Sequence, residues 1–149
     1  YIEKISGRQA VPVTSSVGGR LPLHASGPGK VLVAFGPPEL LDQVLAAGLK
    51  PRTKQTICDE ATFRRALSEI RKTGFAVSRE EMSPGIASIA APIFAGPRAI
   101  ATVSVVTTPD RLNVTVLAPL TTTIARGISR ALARAQEGSS GPGYGRVTS

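Results

Sequence analysis

The sequence predicts a mixed α/β fold of the α+β type: a largely antiparallel central sheet flanked by helices, with a long C-terminal helix. Three stretches carry that prediction. Between Arg71 and Phe94 a helical period ends at Gly74, and apolar residues then alternate at Phe75 and Val77. The chain turns at Ser83-Pro84-Gly85 and resumes in the nearly uncharged run of residues 86–94. Gly96-Pro97-Arg98 joins that run to the β-branched segment of residues 99–106, a connection too short for a parallel crossover. Finally, a helix starting near Pro119 runs to about Gln136.

The remaining elements follow in order. Residues 2–5 and 11–15 read as two short strands with a turn at Ser6-Gly7-Arg8, and Gly18-Gly19 break the chain. Leu21, Leu23 and Ala25 alternate briefly before Ser26-Gly27-Pro28-Gly29. Residues 30–35 are apolar enough for a buried helical turn or two. Pro37-Pro38-Glu39 opens the next helix, because proline suits the first helical position and an acid suits the first turn. Leu40, Leu41, Val44 and Leu45 give it one apolar face, and Gly48 ends it. Residues 50–56 form a loop, and Asp59 caps a helix marked by Phe63, Leu67 and Ile70. On the last helix Arg126, Arg130 and Arg134 form a solvated stripe opposite Ile124, Ile128 and Leu132. Residues 1–136 make one domain, and the Gly, Ser and Pro-rich residues 137–149 read as a tail.

Composition narrows the function. A chain of 149 residues, 42% hydrophobic, can bury a single core. No apolar run approaches the roughly 20 residues of a membrane span. The charged start is not a signal peptide, and the missing initiator Met points to a fragment of a longer protein. One Cys (Cys58) and one His (His24) exclude an intrachain disulfide and a structural zinc site. The expectation is a cytoplasmic protein without metal or cofactor, with Cys58 a small buried or bland residue. The net charge of +8 is scattered along the chain, and 4% aromatic content without Trp leaves few stacking platforms. This segment is therefore expected to bind DNA only weakly and nonspecifically.

Several motifs invite chemistry. Gly27-Pro28-Gly29-Lys30 looks like a phosphate loop, but His24 and Val31 stand where that pattern needs Gly and Ser or Thr. What survives is a helix start whose amides suit a carboxylate. His24 has only Ser26 nearby as a nucleophile and no orienting acid, so a structural hydrogen bond is its expected role. Glu80 and Glu81 are adjacent, and strand alternation would point them to opposite faces, with a salt bridge expected for at least one. No catalytic residue is assigned. Ser88, in the apolar run IASIAAPIF, needs a reason to be buried: a backbone partner or a ligand.

The residues Ile70-Arg71, Gly74-Phe75, Ser78 to Glu81, Gly85-Ile86 and Ile89-Ala90-Ala91-Pro92-Ile93-Phe94 resemble a known family. So do Leu21-Pro22-Leu23-His24-Ala25-Ser26-Gly27 and Gly29-Lys30. The family is the C-terminal effector-binding domain of IclR-type bacterial transcriptional regulators, and the resemblance covers residues 1–136. It implies a GAF/PAS-like fold that senses a small-molecule effector and forms a homodimer or tetramer. It also implies a winged helix-turn-helix before Tyr1, outside this fragment, that binds operator DNA. The pocket positions it implies are Val13, Leu21, Gly27, Pro28, Ser78, Ile86, Ser88, Ser104 and Val106, and the helix-start reading adds the Gly27 and Gly29 amides as donors. Some relatives carry an acid where Ser78 stands and a Cys or other polar group where Ser88 stands. Pro28 also removes a backbone donor, so the ligand of another member does not transfer. A small organic acid or aromatic metabolite is the expected effector. An enzyme on the same fold, or a dimerisation module without ligand, are the alternatives.

Overall fold

In the computed structural model, which describes residues 3–6, 10 and 20–139, three layers stack. The first layer holds three helices: α1 (Gly27–Phe35), α2 (Pro38–Ala47) and α3 (Glu60–Thr73). The second is an antiparallel sheet of β1 (Ala76–Arg79), β2 (Ala87–Ala95) and β3 (Arg98–Thr107), in that order among the described residues. The third is α4 (Val114–Ser139), reached through a 3-10 turn at Pro109–Arg111. The expected strand over residues 2–5 is absent from residues 3–6, and the one over 11–15 lies outside the described residues, as do residues 140–149.

Local chemistry sets the helix ends. The Ser26 hydroxyl caps α1 by accepting from the Gly29 amide, and the Asp59 carboxylate caps α3 by accepting from the Thr62 amide. The Thr62 amide, then its hydroxyl, hold the Asp59 carboxyl below its ordinary value. Gly74 closes α3 at φ 83, a left-handed conformation that residues with a Cβ rarely adopt. The helix forecast over residues 30–35 is longer than expected, because Ser26 starts it three residues earlier. α4 likewise begins at Val114, not near Pro119. Asn113 caps it, its Oδ1 accepting from the Val116 amide, which leaves Pro119 inside the helix.

β2 is the spine. Ala90 on one face joins Val31, Val44, Phe63, Leu67, Ile70 and Ala76 in the main core. The opposite face packs on α4: Ala87 and Ile89 meet Leu112 and Ala118, and Ala91 and Ile93 meet Ala125. Val114, Leu117 and Leu132 of α4 pack around these small residues on the same face. The expectation for α4 holds for Leu132, which packs on the Ala91 and Ile93 cluster, and needs correcting for the two isoleucines. Arg126, Arg130 and Arg134 are exposed as read, but Ile124 and Ile128 are also 43% and 38% exposed, in line with Val116 and Leu120. β1 pairs with β2 only from Ala87 to Ala90. Beyond Ala90 on that side, Pro92 has no N–H to offer and the Phe94 amide donates to the Ser129 hydroxyl at 2.9 Å.

Candidate effector site

The register of the sheet brings four of the ten predicted residues, Ser78, Ser88, Ser104 and Val106, to the α1-facing side. Ser78 lies opposite Ser88, and Ser88 opposite Val106; one row along, Ala76 lies opposite Ala90 and Ala90 opposite Ser104. Ser78 and Ser88 are buried, and Ser104 and Val106 are half-buried. Gly27, the first residue of α1, sits directly over this row. A Cβ there would stand 2.8 Å from the Ser88 Oγ, 3.6 Å from the Ala90 Cβ and 3.8 Å from the Ser78 Cβ. With no side chain at residue 27, the helix start lies against the Ser88 hydroxyl without displacing it. Pro28 is half-buried in the same turn, and Leu21 and Ile86 are half-buried beside α1 and β2. Val13 lies outside the described residues.

The donors at this helix start are fewer than the sequence suggested. Pro28 has none, and the Gly29 amide bonds the Ser26 hydroxyl at 3.2 Å. A Cβ on Gly29 would stand 2.3 Å from the Leu23 carbonyl oxygen. The Gly29 N–H is thus taken up by the N-cap, and the residue packs tightly on the Leu23 backbone. The Lys30 amide opens the helical ladder on the Ser26 carbonyl. The Gly27 amide has no hydrogen-bond partner among the described residues.

His24 Nε2 donates to the Lys50 carbonyl at 2.8 Å, which fixes the tautomer, since a carbonyl only accepts. The Ser26 hydroxyl donates to the Pro22 carbonyl at 2.9 Å. Both groups therefore serve the fold, and no nucleophile–base pair forms between them. Cys58 is exposed rather than buried. Among the described residues no three His, Cys, Asp or Glu side chains gather to hold a metal, and no helix is long and apolar enough to cross a membrane.

Sequence reasoning missed one buried charge, Lys30, which bonds Glu81 at 2.5 Å. A lone Lys in the apolar run KVLVAF was the available signal, because a buried ammonium needs an acid. Strand alternation does not reach Glu80 and Glu81, because Glu80 leaves the strand at φ 55. A separate cleft of about 220 Å³ opens at the far end of β2 between Arg71, Phe94 and Arg126, and none of the predicted residues lines it.

Comparison with known proteins places this architecture. Residues 1–133 match the family model for the C-terminal region of the bacterial transcriptional regulator IclR. The HTH-type transcriptional regulator XynR of Escherichia coli is 35% identical over 115 residues, 76% of this chain and 46% of that protein. The chain thus spans about half the length of this relative. The crystal structure of Thermotoga maritima IclR superposes with a TM-score of 0.83 at 33% identity, covering 89% of this chain and 56% of that one. An IclR homologue from Microbacterium hydrocarbonoxydans, complexed with 4-hydroxybenzoate, superposes with a TM-score of 0.82 at 30% identity, covering 89% and 55%. The fold, the two motifs and these matches agree: the chain belongs to the IclR family of bacterial transcriptional regulators and carries its C-terminal domain.

Proposed function

We propose that this domain senses a small organic acid, with a single-ring aromatic acid such as 4-hydroxybenzoate as the first candidate. The observation that carries the reading is the Ser78–Ser88 row beneath the Gly27 amide, with Ser104 one row away. Hydroxyls and a positive helix end suit a carboxylate, while Ile86 and Val106 offer apolar walls to a ring. Lys30 is already neutralised by Glu81, so the ligand is held by dipoles and not by a free ammonium. The 4-hydroxybenzoate bound by the Microbacterium homologue is of the same chemical class.

Binding acts by population shift. An effector that favours one arrangement of the domain biases a winged helix-turn-helix elsewhere in the full regulator, and so its grip on operator DNA. Such a regulator works in the cytoplasm. Assembly into a homodimer or tetramer is part of the reading, supported by the exposed stripe Val116, Leu120, Ile124 and Ile128 on α4.

Calorimetry of the fragment with 4-hydroxybenzoate and related carboxylates tests this. Binding is expected, with Ser88→Ala folding normally and losing roughly 0.5–3 kcal/mol of affinity. Unchanged affinity together with lost stability would make Ser88 structural and move the pocket elsewhere.

A further inference from the structure

We propose that Lys30 and Glu81 are positioning residues for the effector site, clamping the turn of residues 80–86 against α1 so that Ser78 and Ser88 stay beneath Gly27. The proposal rests on that row being the effector site.

Lys30 follows Gly27 by three residues and so shares its face of α1. Its side chain, 3% exposed, reaches the outer edge of β1, where Nζ donates to the Val77 carbonyl at 3.1 Å and to Glu81 Oε1 at 2.5 Å. The 50–56 loop grips the same turn from elsewhere: the Thr56 hydroxyl donates to the Glu81 carbonyl and the Thr53 hydroxyl to the Glu80 carbonyl, each at 2.7 Å. The Glu80 amide closes the turn on the Ile86 carbonyl, also at 2.7 Å. Glu80 itself sits at φ 55, a conformation that side chains rarely adopt and that persists only where the surroundings over-determine it. This strained turn joins the two strands that carry Ser78 and Ser88.

A buried ion pair is a poor choice if stability alone is wanted, since apolar residues of similar volume often do as well. This pair is not even fully satisfied, because Glu81 Oε2 is buried with no hydrogen-bond partner among the described residues. What the pair supplies is direction: it fixes the turn to one point on α1.

The test compares the intact chain with the Lys30→Met/Glu81→Met double variant, and with Glu81→Gln in case the double variant does not fold. Melting temperature, amide hydrogen exchange at Glu80 and Ile86, and affinity for 4-hydroxybenzoate are measured. Expected are a nearly unchanged melting temperature, exchange at those two amides faster by roughly tenfold with the β2–β3 ladder unaffected, and affinity lower by roughly tenfold. Unchanged exchange at Glu80 and Ile86, or an equal rise throughout the ladder, overturns the proposal. Absence of 4-hydroxybenzoate binding by the unmodified chain counts against the ligand reading alone, and the exchange comparison still decides the positioning role.

Discussion

Gly27 and Gly29 stand two residues apart and do different work. A Cβ at Gly29 meets main chain, the Leu23 carbonyl at 2.3 Å, which cannot step aside. At Gly27 it meets the Ser88 hydroxyl at 2.8 Å, the end of a side chain that can rotate. Gly29→Ala is therefore expected to destabilise by about 1–3 kcal/mol through overpacking. Gly27→Ala should change stability by less than about 1 kcal/mol, while displacing Ser88 and weakening effector binding. Denaturant melts and calorimetry on the two variants separate these outcomes; equal destabilisation would undo the distinction. The motif around these glycines was legible in the sequence, but the division of labour was not. It depends on which backbone atoms lie 2–3 Å away in space, and spacing along the chain does not record that.

At the scale of elements, α3, β1, β2 and the Gly96-Pro97 hairpin were readable because each has its own local punctuation. Asp59, Gly74, the Ser83-Pro84-Gly85 turn and Gly96 at φ 63 all mark boundaries by backbone chemistry. α4 was misjudged for the opposite reason. Its start is set by Asn113, a cap weaker to the eye than a proline, and its buried face uses Ala118, Thr121 and Ala125 flanked by Val114, Leu117 and Leu132, while Val116, Leu120, Ile124 and Ile128 point outward. A stripe of isoleucines reads as core until a partner of small residues is seen to fit the sheet better. Pro119 is exposed and removes one rung of the helical ladder. Pro119→Ala is expected to restore that rung to the Thr115 carbonyl and to stabilise by up to about 3 kcal/mol. A thermal melt checks it, and an unchanged or lower melting temperature would mean that the rest of α4 depends on the break.

At the scale of the molecule, the three layers leave apolar surface uncovered among the described residues. Val116 and Leu120 on α4 are 59% and 51% exposed, and Ile124 and Ile128 continue the stripe. Residues four apart form a ridge that a second helix accepts readily. Light scattering of the fragment at micromolar concentration is expected to give a mass above that of the 15.4 kDa chain. A monomer at every concentration would count against assembly through this domain. Among the described residues, the stretch of β2 beyond Ala90 is guarded on its β1 side. Where β1 stops short, β2 would present a bare row of backbone groups, the template on which stray strands add and fibrils grow. Pro92 has no hydrogen to lend, and Ser129 has already taken that of Phe94. A chain proposed to associate through the outer face of α4 thus uses another residue of the same helix, Ser129, to block stray pairing along this stretch of β2.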